Sequence, residues 1–178
     1  MILIISTCSE TLHELEFVKP IEDIIGKEFK TVNYKDLTQK HIDSAEKIII
    51  CGTSLKDNTF LKELGKFSWI KEYSKPLLGI CAGMQIIGLV FGGKIKKKKE
   101  IGLIVSNFDK TFLGLDGVKQ VYALHNNFID FSKIPEFEVF AKSLSCDQAV
   151  KHRAKKIYGV LFHPEVRNKE FIKKFCLL

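Results

Sequence analysis

Two short segments of this chain hold three residue types that can act together on an amide bond. The first is Gly79-Ile80-Cys81-Ala82-Gly83, set between apolar runs. A G-x-nucleophile-x-G pattern joining a strand to a helix makes an elbow that exposes its central side chain. The glycines let strand and helix approach closely around the strained turn. The helix N-terminus behind it offers unpaired N–H groups and a positive dipole end, which favour a thiolate and an oxyanion. The Ala82 N–H would then be one arm of an oxyanion hole. The same pentapeptide also suits a plain strand–turn–helix crossover with Cys81 as filler, so a partner base has to decide between the two.

That base is in "YGVLFHPEV", Tyr158 to Val166. His163 follows an apolar strand, and Pro164 biases it toward an extended conformation and ends the strand. Glu165, two residues on, can orient the other ring nitrogen. A thiol, an imidazole and a carboxylate delivered from strand ends at one edge of a parallel sheet make a triad, and ligand sites in such sheets lie at the carboxyl ends of the strands. His13, His41 and His152 have no partners at metal-ligand spacing. We therefore expect no metal and no cofactor.

The elements that must position these groups follow from hydrophobic period. "MILIIS", "FKTVNY", "KIIICG" and "PLLGI" read as strands. "LHELEFVKPIEDIIGKEF" reads as a helix with Pro20 able to open it and Gly26 near its end. "NTFLKELGKFSWIKEYS" reads as another, capped by Asn58 or Thr59, and Ala82 to Phe91 as a third. Strands alternating with helices, the strands unbroken in apolar character, indicate a parallel sheet covered on both faces. After Gly92 the texture changes to strand-like "GLIVSNF", "QVYALH", "FEVFAKSL" and "KIYGVLFH", an appended antiparallel hairpin region, before "EVRNKEFIKKFCLL" closes as an amphipathic helix. The expected architecture is α/β, a flavodoxin-like three-layer domain with a mostly parallel central sheet, spanning 1–178 as one unit.

Composition limits the alternatives. With 178 residues, 46% apolar and 28% charged, the chain can bury a sizeable core. No apolar run reaches the roughly 20 residues a membrane helix needs, and "MILIIS" lacks the basic flank of a signal peptide, so a cytoplasmic location is expected. The five cysteines are scattered, without a C-x-x-C pair, which argues against a disulfide framework. The net charge of +7 is concentrated in "KIKKKK", Lys94 to Lys99. No aromatic and glycine pattern accompanies it, so nucleic acid is not expected. A solvated hairpin face is the plain reading, docking of an acidic partner the sharper one.

"GICAGMQ" together with "YGVLFHPEV" resembles the triad, or class I, glutamine amidotransferases, and the resemblance covers most of the chain. "KIIICGTS" stands where that family has its oxyanion strand. Glu100-Ile101-Gly102 resembles its acidic-x-Gly step beside the substrate pocket, and "VYALHNNFI" resembles W-x-S-H-x-D-x-V, which puts His125 at the family histidine. The C-terminal part resembles the glutaminase subunits of GMP synthetase. The resemblance implies a cysteine-thioester mechanism with Cys81, His163 and Glu165 as triad. It implies an oxyanion hole from the backbone of Gly52, Thr53 and Ala82, and substrate contacts from Gln85, Glu100, Gly102 and His125. The implied partners are L-glutamine and a synthetase subunit that accepts ammonia, such as the ATP-pyrophosphatase subunit of GMP synthetase.

Three features depart from the family pattern. Thr53 replaces the second glycine of S-G-G-P, and a β-branched residue resists φ > 0. Met84 replaces the common histidine of G-x-C-x-G-H-Q. The loop "STCSETLHE" lacks the D-x-G segment. Two other functions therefore stay open: a Cys-His-Glu amide or γ-glutamyl hydrolase acting alone, and a catalytically quiet binding module.

Overall fold

The computed structural model describes residues 1–26 and 28–178. Among them, nine strands form one sheet in the order β2-β1-β3-β4-β9-β8-β7-β5-β6. β1 (Ile2–Ser6), β2 (Phe29–Asn33), β3 (Lys47–Ile50), β4 (Leu77–Ile80) and β9 (Ile157–Val160) run parallel. β8 (Asp147–His152), β7 (Phe137–Lys142), β5 (Ile95–Phe112) and β6 (Leu115–Ile129) continue the sheet antiparallel. The expected parallel sheet with an antiparallel extension is thus observed. No helix among the described residues is long and apolar enough to cross a membrane.

Alternation along the parallel strands divides the core into two layers. Leu3, Ile5, Ile48, Ile50 and Leu77 face one side, where α4 (Ala82–Val90) supplies Ile86 and Ile87 and the segment Thr59–Lys71 supplies Phe60, Phe67 and Ile70. Ile4, Ile49, Leu78 and Ile80 face the other. There α1 (Thr11–Phe17), α2 (Lys19–Ile25) and α5 (Lys169–Cys176) contribute Phe17, Ile21, Phe171, Ile172 and Phe175. Strands buried on both faces need apolar side chains at every position, which is why these runs show no period-2 polarity. Phe108, Phe112, Leu115 and Val121 from the β5–β6 hairpin join this second layer. The hairpin therefore folds back over the sheet toward the strand ends.

Several elements differ from the sequence reading. The long N-terminal helix is two, broken at Val18 (φ −111°, ψ −52°). Pro20 has no N–H to return to the Glu16 carbonyl, so the helix cannot run through. Thr59–Lys71 is a chain of 3₁₀ turns rather than an α-helix, interrupted at Glu63 (φ −122°, ψ 30°). Asn58 does not cap it, because its carboxamide oxygen accepts from Asn127 Nδ2 at 2.9 Å. Two elements were not anticipated. α3 (Gln39–Ser44) starts from a capping box in which Thr38 Oγ1 receives the His41 N–H and His41 Nδ1 receives the Thr38 N–H. β8 escapes a hydrophobic pattern because Asp147 and Gln148 are buried as hydrogen-bonding groups. The lysine run opens β5 as an exposed hairpin face, with Lys96 paired to Asp130 at 2.8 Å.

Candidate active site

β4 enters the turn at Cys81, whose φ of +49° and ψ of −100° lie outside the regions favoured by L-residues. Two close backbone approaches hold that strain. A Cβ on Gly79 would stand 2.5 Å from the Gly83 carbonyl carbon, and one on Gly83 would stand 2.3 Å from the Ile50 carbonyl oxygen. The elbow glycines therefore serve contact of α4 with β4 and β3 and not a positive φ. Cys81 caps α4 with its carbonyl, which accepts the Gln85 N–H at 3.0 Å.

Across the cleft, His163 lies three residues past β9, later than the strand end the sequence suggested. Its N–H donates to Tyr122 O of β6 at 2.8 Å. Glu165 Oε1 lies 2.6 Å from His163 Nδ1, and both side chains are 1% exposed. This fixes the ring with Nε2 free, and Nε2 is buried without a hydrogen-bond partner. Gly52 is the meeting point: a Cβ there would stand 2.7 Å from His163 Cε1 and 3.3 Å from Cys81 Cβ. Imidazole and thiol thus pack against the same glycine. The Cys81 thiol donates to Leu124 O at 3.6 Å.

Burial by itself disfavours a charged His163 ring, but the Glu165 carboxylate and the Cys81 sulfur outweigh it and raise its pKa well above the ordinary imidazole value. A histidine that holds its proton more tightly when folded adds stability below its unfolded pKa of about 6.5, and that increment is lost as pH rises through the folded value. The melting-temperature gap between the native chain and His163→Ala should therefore narrow from about pH 6 toward alkaline pH. Thermal melts across that range check the sign.

The loop after β3 completes the cleft. Cys51 N–H is used by Ile5 O at 3.0 Å, whereas the N–H groups of Gly52, Thr53 and Ala82 find no acceptor among the described residues. Neither Gly52 nor Thr53 has a positive φ, so the β-branched residue carries no left-handed strain. Thr53 is instead anchored by its hydroxyl, which donates to Asp57 Oδ2 at 2.9 Å. Asp57 Oδ2 also accepts the Ser9 N–H at 2.7 Å, and Oδ1 the Thr59 N–H at 3.2 Å. Thr7 Oγ1 donates to the carbonyls of Cys51 and Gly52 at 3.1 and 3.2 Å. The "STCS" loop thus braces the oxyanion loop without a D-x-G segment. Asp57 and Thr7 were not singled out in the sequence; an acid four residues past Thr53 was the only signal. Burial alone would raise the Asp57 pKa, but the backbone N–H donors of Ser9 and Thr59 bring it below the usual carboxylate value. Asp57→Ala should lower turnover roughly tenfold to a hundredfold by loosening Thr53, read as kcat at saturating substrate.

A pocket of about 260 Å³ opens beside Cys81, lined by Thr53, Asp57, Gln85, Leu124, His125 and Asn127 among others. Gln85, one helical turn beyond Cys81, donates from Nε2 to Asn127 O at 3.2 Å. Asn126 Nδ2 donates to Leu55 O at 3.1 Å, so β6 is laced to the oxyanion loop over the pocket. Glu100 and Gly102 do not line it. Glu100 meets the pocket through His125, whose Nε2 is 3.0 Å from Glu100 Oε2. Gly102 (φ +93°) has open space where a Cβ would stand. Met84 is buried and packs against Gly159 of β9.

Comparison with known proteins adds to this geometry. The family model for glutamine amidotransferase class-I matches residues 24–176. Over 102 residues, 54% of the chain, the sequence is 41% identical to GMP synthase (glutamine-hydrolyzing) of Staphylococcus aureus strains JH9 and Newman. The match spans only 20% of those relatives' length. Among solved structures, a GMP synthase glutaminase-type protein of Thermoplasma acidophilum superposes with a TM-score of 0.83 at 26% identity, covering 98% of this chain and 92% of that one. A glutamine amidotransferase of Thermotoga maritima shares the fold, with a TM-score of 0.72 at 19% identity over 99% of this chain and 82% of that one.

Proposed function

This chain belongs to the class I glutamine amidotransferase family, and we propose that it hydrolyses L-glutamine to glutamate and ammonia for use by a separate synthetase. The observation that carries this reading is the packing of Cys81 and His163 on the two sides of one missing side chain, Gly52, with Glu165 on the far nitrogen of the ring. The Cys81 thiolate attacks the side-chain carboxamide carbon. The carbonyl oxygen becomes an oxyanion facing the free N–H groups of Ala82 and of the Gly52–Thr53 loop. His163, carrying a proton on Nε2, gives it to the leaving nitrogen, and ammonia departs as the tetrahedral adduct collapses to a γ-glutamyl thioester. The same nitrogen then takes a proton from water, whose oxygen attacks the thioester. The C–S bond breaks, and glutamate leaves.

The acceptor we propose is an ATP-pyrophosphatase of GMP synthetase type, since both the curated relatives and the Thermoplasma acidophilum structure carry the GMP synthase name. The test is glutamate release from L-glutamine by the purified chain, alone and with such a synthetase plus its substrates. Stimulation by the partner supports both parts of the reading. Turnover without stimulation keeps the glutaminase and removes that acceptor. Silence in both mixtures contradicts the enzyme.

A further inference from the structure

Behind the pocket wall lies a second buried polar group that the triad chemistry does not use. His125 is on β6 with its side chain fully enclosed, and Glu100 on β5 is 11% exposed. Both ring nitrogens of His125 face acceptors: Nδ1 the Lys98 carbonyl at 3.2 Å, Nε2 the Glu100 carboxylate at 3.0 Å. Glu100 is in turn saturated with donors, taking Ser143 Oγ at 2.8 Å on Oε1 and Gln148 Nε2 at 2.8 Å on Oε2. A carbonyl can only accept and an ionised carboxylate can only accept, so each nitrogen of the ring must donate. A ring that donates from both nitrogens is an imidazolium.

The arrangement also answers another reading of the cluster. Donor atoms of Glu100, His125 and Cys146 lie within 4.8 Å of one another, yet a doubly protonated ring has no lone pair for a metal, and burial pushes the Cys146 thiol up to about 12. The cluster is built to hold protons.

A fixed cation at this position has a use. At neutral pH a free amino acid brings a carboxylate into the pocket, and an anion entering a partly buried site needs a compensating charge. Among the described lining residues, His125 is the only basic side chain. Gln85, one turn and about 5.4 Å along α4 from the nucleophile, marks how far the α-end of a bound glutamine reaches. We propose that Glu100 is a positioning residue that keeps His125 doubly protonated in the pocket wall, and that this imidazolium holds the α-carboxylate of the substrate through its charge. The proposal rests on the glutaminase reading for the identity of that substrate. It replaces a direct substrate contact by Glu100 with an indirect one. The hydrogen bonds of His125, Ser143 and Gln148 hold the Glu100 pKa below the carboxylate norm despite its burial, consistent with a charged partner. The other titratable or charged groups around the ring are Cys146 in the β7–β8 turn, Cys81 on the elbow, Asp57 on the oxyanion loop and the exposed Lys98.

The test reads protonation and binding apart from turnover. Nitrogen NMR of histidine-labelled chain should show His125 protonated at both nitrogens from about pH 6 to about pH 8. In Glu100→Gln the ring should release a proton within that window. Calorimetric Kd for L-glutamine, measured in a Cys81→Ser background, should be flat over the same range but weaken about tenfold with rising pH once Glu100→Gln is added. Adding His125→Gln to either background should weaken binding without pH dependence, and the double change should be no worse than His125→Gln alone. The α-carboxamide analogue of glutamine should bind the parent poorly and lose that disadvantage in His125→Gln. A neutral His125 tautomer in the unsubstituted chain overturns the proposal even where Glu100→Gln fails to fold, and a pH-flat Kd in a folded Glu100→Gln chain does so as well. If the unsubstituted chain releases no glutamate, the glutaminase reading falls instead, while the NMR result still decides the state of the ring.

Discussion

Cys81→Ser should reduce glutamate release at least about a thousandfold while leaving the melting temperature within a few degrees of the native chain. The reasoning is chemical. The hydroxyl fills almost the same space and can keep the Leu124 contact, so packing is conserved. A hydroxyl is nevertheless a far weaker nucleophile at its ordinary pKa than a thiol. It would have to lose its proton to His163 during attack, whereas a thiol can reach the ion pair beforehand. Steady-state glutamate assays and a thermal melt of the same preparation check both halves. Retained turnover would remove Cys81 from the mechanism. A collapsed melt would mean that the cysteine serves the fold.

The second large effect is structural. Gly83→Ala adds a methyl group where the nearest atom is the Ile50 carbonyl oxygen at 2.3 Å, with the Ile50 carbonyl carbon and Cβ both at 3.0 Å. Backbone at the end of β3 cannot turn aside as a flexible side chain can, so α4 must shift away from the sheet. Overpacking of this kind costs about 3 kcal/mol, which corresponds to roughly 5–10 °C in melting temperature for a chain of this size. The shift also displaces the Ala82 N–H and Cys81 together, so activity should fall with stability. Gly65→Ala is the control, since nothing lies within 4 Å of its added Cβ; it should leave both nearly unchanged. A Gly83→Ala chain as stable as the native one would contradict the account of why the elbow carries glycine.

The parallel half of the fold was legible because Ile and Leu runs bounded by Gly and Pro admit few other readings, and β1, β3 and β4 lie where those runs stand. The elbow was legible for the same reason: strand, turn chemistry and helix agree at Cys81. The segment Thr59–Lys71 was not, because its apolar spacing suits a helix while the group that would cap it, Asn58, is taken by Asn127, 69 residues away in sequence. β8 was missed because Asp147 and Gln148 look like loop residues until their partners on other elements are known. The same limit applied within the site. Asp57 and Thr7 act through backbone groups of neighbouring loops, and Glu100 acts through His125, so none of the three carries a local pattern that states its role.

The central claim is that one cysteine out of five free ones is the nucleophile for a γ-carboxamide. The most direct measurement is to expose the native chain to a glutamine analogue whose side chain ends in a diazoketone, and to map the adduct by peptide mass spectrometry. The account predicts a single adduct on Cys81, suppressed by excess L-glutamine and absent in Cys81→Ser, with Cys8, Cys51, Cys146 and Cys176 unlabelled. An adduct on any of those four, or labelling of Cys81 that L-glutamine does not slow, would contradict it.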